Sequence, residues 1–146
     1  MATVTDVFEY INSIAPVHLQ MDFDNSGFLV GRKSAMVSRI LVALDITKQV
    51  IEEAEETGAQ LIVAHHPVIF SPVSVLTDET VTGAKLLQLV EKRIAAICAH
   101  TNLDRVQGGV NDCLAHALKL HDITQLHQEG VDEQGNGYGI GRIGYA

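Results

Sequence analysis

Two adjacent histidines, His65 and His66, stand at the end of a short apolar run and directly before Pro67. The run Leu61–Ala64 is typical of a short, fully buried strand. Imidazole is the commonest neutral metal ligand, so two in a row at a strand end can bind one ion or two. The alternative is structural, because a lone histidine in this position is more often a hydrogen-bonded residue than a ligand.

A second polar cluster, His100-Thr101-Asn102-Leu103-Asp104, follows another apolar run over residues 94–99. Two apolar runs are therefore each followed by polar side chains that include histidine. This repetition favours a metal site over scattered polar residues, with His65, His66 and Asp104 as the candidate ligands.

The donor types limit both the metal and the reaction. Histidine and carboxylate ligands suit Zn, Fe, Mn, Co or Ni far better than Ca, which prefers oxygen alone. Successive strand residues point to opposite sides, so His65 and His66 can reach different ions. Two divalent ions activate water near neutral pH and bind both oxygens of a displacement, which favours hydrolysis. Three ligands are too few for two ions, so further ligands are expected elsewhere.

Two neighbouring residues have open roles. His100 can be a ligand, a general base or a residue that orients Asp104, and we interpret it as the catalytic residue that shuttles a proton. Asp45 can be a further ligand, a hydrogen-bond acceptor for a ligand, or an acid at the start of a helix. Thr101 and Asn102 are expected to fix the turn. Gly108-Gly109 can let backbone amides approach an anion, or can simply permit a tight turn.

The pattern of elements predicts where these residues lie. Short apolar strands over 39–44, 61–64 and 94–99 alternate with amphipathic segments, which is typical of βαβ units. The fold class is therefore α/β, with a mainly parallel or mixed sheet flanked by helices. In such sheets ligands bind beyond the carboxyl ends of the strands, where Asp45, the histidine pair and the second cluster would all lie.

The helices are expected from apolar spacing and from their end signals. An N-terminal helix begins near Val4 and closes before Pro16; a second lies between Thr47 and Gly58. A third opens at Thr82, with Leu86, Leu87 and Val90 facing inward. A helix after Gly108-Gly109 is expected to bury Val110, Cys113, Leu114, Ala117 and Leu118. Residues 68–79 are expected to form a loop, long enough to suggest a function.

Composition excludes several classes of function. The chain has 146 residues, a net charge of −8 and only ten Lys and Arg, with no basic run, so binding to nucleic acid is not expected. It contains no membrane-length apolar run, and its first residues lack the basic start and apolar stretch typical of a signal peptide, so we expect a cytoplasmic protein. The two cysteines, Cys98 and Cys113, are expected to be buried free thiols.

Residues 1–146 are expected to form a single α/β domain whose final part, 121–146, is a glycine-rich tail. Residues 139–144 match the pattern G-x-G-x-x-G. We interpret this match as accidental, because a dinucleotide fingerprint must follow a strand and open a helix. A glycine-rich turn entering a short strand is the expected structure. The other histidines are expected at the surface without chemistry: His18, His116, His121 and His127.

The chain resembles a known family through three motifs, which are Asp24-Asn25-Ser26-Gly27, the sequence 64–70 around the histidine pair, and the second cluster with Gly109-Val110-Asn111-Asp112. These resemble the Ngg-interacting-factor-three-like proteins, commonly named type 2 GTP cyclohydrolase I homologues. The resemblance implies that His65, His66 and Asp104 are ligands of a dinuclear metal centre. It also implies a homo-oligomer, a toroidal hexamer whose sites face an internal cavity.

Members of this family are usually considerably longer, and the resemblance places the remaining ligands, a His and a Glu, in a C-terminal half. The chain thus resembles an N-terminal half, with residues 141–144 near the expected junction. The expected function is metal-dependent hydrolysis of a small molecule, a nucleotide or related heterocycle. The alternatives are a non-catalytic metal-binding or assembly module and a two-metal phosphoesterase.

Overall fold

The computed structural model of the protein describes residues 1–146 and contains five α-helices and ten short strands. The helices are Val4–Ile14 (α1), Lys48–Thr57 (α2), Val81–Glu91 (α3), Thr101–Arg105 (α4) and Val110–Ala117 (α5). The strands are Ala2–Thr3 (β1), Gly27–Val30 (β2), Met36–Val37 (β3), Ile40–Ala43 (β4), Leu61–Ala64 (β5), Ala95–Cys98 (β6), His121–Gln125 (β7), Gly130–Val131 (β8), Gly137–Tyr138 (β9) and Arg142–Tyr145 (β10).

The central sheet has four strands in the order β2-β6-β5-β4. Strands β4, β5 and β6 are parallel to one another, whereas β2 pairs with β6 in the antiparallel direction. The α/β class with a mixed sheet flanked by helices is confirmed, and β4-α2-β5 and β5-α3-β6 are its two βαβ units. Ala43, Ala64 and Cys98 lie side by side in register, so the residues after β5 and β6 meet at one edge.

Helices cover both faces of this sheet. Helices α2 and α3 pack on one face, where Ile51, Ile62 and Leu89 are fully buried in the largest apolar cluster. Helix α1 packs on the other face, where Val4 and Ile97 belong to a second cluster. Burial of apolar surface on both faces stabilises the sheet and fixes the positions of its strand ends.

Threonine side chains cap three of the helices. Thr47 Oγ accepts a hydrogen bond from the backbone of Val50, and Gly58 ends α2 in the left-handed conformation with a φ of 69°. Both features agree with the prediction for this helix. The third helix begins at Val81, one residue earlier than expected, and Thr80 provides its cap.

The predicted inner face of α3 is correct only in part, and that of α5 is wrong. In α3 the buried residues are Gly83, Leu86 and Leu89, so Leu86 is confirmed, whereas Leu87 is only partly buried and Val90 is 60% exposed. In α5 only Ala115 is buried, and the expected inner residues are exposed: Val110, Cys113, Leu114, Ala117 and Leu118. The eight-residue helix contacts α4, β7 and β10 on one side, and its apolar stripe faces away from them.

The glycine-rich segment 121–146 is folded. Strands β7 and β10 form one antiparallel pair, and β8 and β9 form another. Gly141 has a φ of +85° in the turn that enters β10, so the turn-and-strand interpretation of the G-x-G-x-x-G match is confirmed. No helix anywhere in the structure combines the length and the hydropathy that crossing a membrane requires.

Candidate metal centre

The histidine pair extends the parallel pairing of β5 with β4. The backbone N–H groups of His65 and His66 donate to the carbonyls of Ala43 and Leu44 at 3.3 Å and 2.9 Å. On the other side, the N–H of Ala99 donates to the carbonyl of Ala64 at 3.0 Å, which holds the end of β6 against β5. Hydrogen bonds on both sides thus fix the backbone that carries the pair.

Three imidazole rings cluster at this edge of the sheet. The ring centroids of His65 and His66 are 5.1 Å apart, and those of His65 and His100 are 5.0 Å apart. One ring nitrogen from each of His65, His66 and His100 lies within 4.8 Å of those of the other two. This spacing is compatible with a shared cation, and the donor chemistry suits a divalent transition metal.

Each of the three rings has its Nδ1 atom bound to an oxygen. Nδ1 lies 2.9 Å from the Ala99 carbonyl in His65, 2.7 Å from Asp45 Oδ1 in His66, and 2.8 Å from Asp24 Oδ1 in His100. Metal-binding histidines almost always have such a partner, which fixes the tautomer and orients the ring. Nε2 of each ring is left to bind a ligand or accept a proton.

Asp104 lies beside this cluster. Its Oδ1 atom is 3.5 Å from Nε2 of His65, and both side chains are largely buried. Asp104 belongs to α4, for which His100 is the N-terminal cap residue. The structure thus brings together all four residues expected from the sequence: His65, His66, His100 and Asp104.

Thr101 and Asn102 hold the turn between β6 and α4, as expected. The buried amide of Asn102 accepts from the backbone N–H of His100 at 2.9 Å and donates to the carbonyl of Ala15 at 2.7 Å. Thr101 Oγ accepts from the backbone N–H of Met21 at 2.9 Å. These bonds join the turn to α1 and to the loop before β2, and so they set the position of His100.

Asp24 is a site residue to which sequence reasoning gave no role. Its carboxylate accepts from Nδ1 of His100, from the backbone of Asn25 and Thr101, and from the hydroxyls of Ser26 and Thr101. Burial alone would raise the pKa of Asp24, but these hydrogen bonds outweigh it and lower the pKa to about 2. The only sequence signal was the motif at residues 24–27.

The structure shows the contacts of Asp45 and of the pair Gly108-Gly109, for which the sequence left several roles open. Asp45 contacts His66, and Thr47 rather than Asp45 caps α2. The N–H of Gly108 donates to Asp112 at 2.5 Å, and a Cβ on Gly109 would lie 1.9 Å from the carbonyl oxygen of Leu103. The tight-turn interpretation of this glycine pair therefore accounts for both residues.

The remaining histidines and the cysteines lie outside the cluster. The four other histidines are exposed, as expected: His18, His116, His121 and His127. Both cysteines are free, but only Cys98 is buried, because Cys113 lies on the exposed face of α5. Burial, with the nearby Asp24 carboxylate, raises the pKa of the Cys98 thiol to about 12, and Sγ donates to the carbonyl of His65 at 2.9 Å.

The cluster is closed toward the loop before β2 and open toward β4. The side chain of Asp24 is 0% exposed, whereas those of His66 and Asp45 are 45% and 53% exposed. A further ligand, a substrate or a second polypeptide has access from the β4 side.

The family model for Duf34/NIF3 (NGG1p interacting factor 3) matches residues 2–146 of the chain. A protein of Clostridium perfringens named GTP cyclohydrolase 1 type 2 homolog is 41% identical over 140 residues. The match covers 96% of this chain and 52% of that protein. The chain thus spans about half the length of the curated relatives that it matches over nearly its whole extent.

Solved structures share the fold. A Bacillus cereus protein related to NIF3 superposes with a TM-score of 0.84 at 35% identity, covering 90% of this chain and 36% of that one. Reduced HcgD from Methanocaldococcus jannaschii superposes with a TM-score of 0.78 at 33% identity, covering 89% and 52%.

Proposed function

The chain belongs to the Duf34/NIF3 (NGG1p interacting factor 3) family, and we propose that it is a metal-dependent hydrolase acting on a nucleotide or related heterocycle. The observation that carries this proposal is the cluster of three imidazoles whose Nδ1 atoms are all hydrogen-bonded to oxygens. That arrangement leaves the Nε2 atoms of the three rings to bind a cation or, in His100, to accept a proton. The nucleotide comes from the names of the relatives.

We assign His65, His66 and Asp104 as metal ligands and His100 as the catalytic residue. A bound divalent ion (Zn, Fe, Mn, Co or Ni) would supply Lewis-acid chemistry and lower the pKa of water. His100 would accept a proton at Nε2, because its Nδ1 is bound to Asp24. The Ala99 carbonyl and Asp45 would hold the rings of His65 and His66 in place.

We further propose that two ions bind and that further ligands complete the site from the open side. The exposure of His66 and Asp45 supports this part of the proposal, because three ligands do not satisfy two ions. The missing ligands would come from a second half of the protein, or from another copy in a homo-oligomer.

The test is the metal content of protein purified without chelators, measured by elemental analysis for the wild type, His65→Ala and Asp104→Ala. We expect close to two ions per chain in the wild type and a loss of metal in both variants. His121→Ala is the matched control, since His121 is exposed and outside the cluster. Metal-free wild-type protein would contradict the proposal.

Hydrolysis of GTP, followed by product formation, distinguishes the enzyme from the alternatives. Turnover that is lost in His65→Ala supports the hydrolase. Bound metal without turnover of GTP or of phosphate esters would instead indicate a binding or assembly module, and turnover of the esters alone would indicate a phosphoesterase.

A further inference from the structure

Asp24 and His100 are 76 residues apart in the sequence, but their side chains are in contact at the closed side of the site. Asp24 lies in the loop before β2, and its side chain is completely buried. Oδ1 of Asp24 lies 2.8 Å from Nδ1 of His100, which follows β6. A buried carboxylate is costly unless it is fully hydrogen bonded, so this contact needs an explanation beyond packing.

Both oxygens of Asp24 act as acceptors. The backbone N–H of Asn25 donates to Oδ1 at 2.7 Å, and that of Thr101 donates to Oδ2 at 3.0 Å. Backbone N–H groups can only donate, so neither oxygen can present a hydrogen to them. Four donors other than His100 converge on the two oxygens and favour the ionised carboxylate. Oδ1 can then only accept, so its remaining partner, Nδ1 of His100, must carry a hydrogen.

We propose that Asp24 is a positioning residue that fixes the proton of His100 on Nδ1 and so turns the Nε2 lone pair toward His65 and His66. The inference rests on the proposed metal site, but the position of the proton is a property of the chain without metal. Asp24 acts through His100 and is not itself assigned as a ligand.

Asparagine at position 24 would move the ring proton of His100 from Nδ1 to Nε2. Oδ2 receives hydrogen bonds from the backbone N–H of Thr101 and from the hydroxyls of Thr101 and Ser26. An amide would place its oxygen at Oδ2, where three donors converge, and not at Oδ1, where only the backbone N–H of Asn25 donates. Its NH₂ group would then face His100. Nδ1 would then have to accept, and the proton would move to Nε2, where a hydrogen faces the cation site.

The experiment compares wild-type, Asp24→Asn and Ser26→Ala proteins labelled with ¹⁵N. Two-bond ¹H–¹⁵N spectra of the metal-free proteins at about pH 8, where imidazole is neutral, report which ring nitrogen carries the proton. We expect the Nδ1–H tautomer of His100 in the wild type and Nε2–H in Asp24→Asn. Ser26→Ala is the matched control, because Ser26 Oγ contacts Oδ2 of Asp24 at 3.1 Å and the backbone N–H of His100 at 3.4 Å but not the His100 ring, and so it should leave the tautomer unchanged.

Zinc titrations of the same three proteins provide the second measurement. We expect affinity to fall by about 10–100-fold in Asp24→Asn, because a hydrogen on Nε2 of His100 would face the cation held by His65, His66 and Asp104, and to change little in Ser26→Ala. An Nε2–H tautomer in the wild type would overturn the inference even if Asp24→Asn failed to fold. An unchanged His100 tautomer in Asp24→Asn would also overturn the inference. A switched tautomer with unchanged zinc affinity would overturn it as well. Failure of the wild type to bind zinc, with the expected tautomers, would instead contradict the proposed function.

Discussion

At the scale of single residues, Asp24 should make the stability of the protein depend on acid. Its pKa is about 2 in the folded state and 3.8 ordinarily. A lowered pKa stabilises the fold above the ordinary value, and this contribution is lost as the pH falls from about 4 toward about 2. At about 1.4 kcal/mol for each pKa unit, the buried carboxylate contributes about 2 kcal/mol.

The measurement is urea unfolding of the wild type and Asp24→Asn over this pH range. The difference in free energy of unfolding between the two should shrink by about 2 kcal/mol between about pH 5 and about pH 2. The other acidic groups are present in both proteins, so their titration cancels in the difference. A difference that stays constant down to the lowest pH would contradict the prediction.

Some residues of the candidate site could be predicted from the sequence, and one could not. His65, His66, His100 and Asp104 were predictable, because each follows a buried strand and the carboxyl ends of parallel strands meet at one edge. Asp24 was not, because it precedes an antiparallel strand and its partner is 76 residues away. No periodicity connects two residues at such a separation, and only their packing brings them together.

At the scale of helices and strands, the strand positions were easier to predict than the helix faces. The apolar runs at 61–64 and 94–99 match β5 and β6 to within one residue, since short buried strands leave little choice. Helix α3 carries apolar residues around much of its circumference, so its sequence does not fix which side faces the sheet. The structure selects Leu89, which contacts the cluster shared with α2.

Adjacent residues in α3 give a direct test of this orientation. We expect Leu89→Ala to lower the free energy of unfolding by about 2–5 kcal/mol, because Leu89 is fully buried and its loss leaves a cavity. Val90→Ala is the matched control and should change it by less than about 0.5 kcal/mol, because Val90 is mostly exposed. Equal destabilisation in urea unfolding, or a larger effect at Val90, would show that the helix faces the other way.

At the scale of the whole molecule, the segment 121–146 is attached to the rest of the chain by two ion pairs. Arg105 contacts Glu129 and lies 4.9 Å from the ring centre of Tyr138, while Arg142 pairs with Asp112 of α5. The sequence predicted this segment as a tail, because its glycines and short strands give no strong pattern. A connection of this segment to a second half of the protein stays a prediction from the family resemblance. The same holds for the homo-oligomer.

The Arg142 pair should carry much of this attachment. The side chain of Arg142 is only 4% exposed. Its Nε donates to Asp112 Oδ1 at 2.5 Å, and its Nη2 donates to Oδ2 at 3.1 Å and to the carbonyl of Val106 at 3.0 Å. Burial would raise the pKa of Asp112, but the hydrogen bonds from Arg142 and Gly108 lower it. Removing one partner of a buried pair costs about 3–5 kcal/mol, because the other charge is left buried without compensation.

We therefore expect Arg142→Met to release the segment before the rest of the protein unfolds. Limited proteolysis with mass spectrometry should find early cleavage within 121–141 in this variant, while the central sheet stays intact. Lys48→Met is the matched control: the Lys48–Glu52 pair is exposed and contributes little, so its cleavage should follow the wild type. Wild-type cleavage rates in Arg142→Met would mean that β7 and β10 hold the segment without the ion pair.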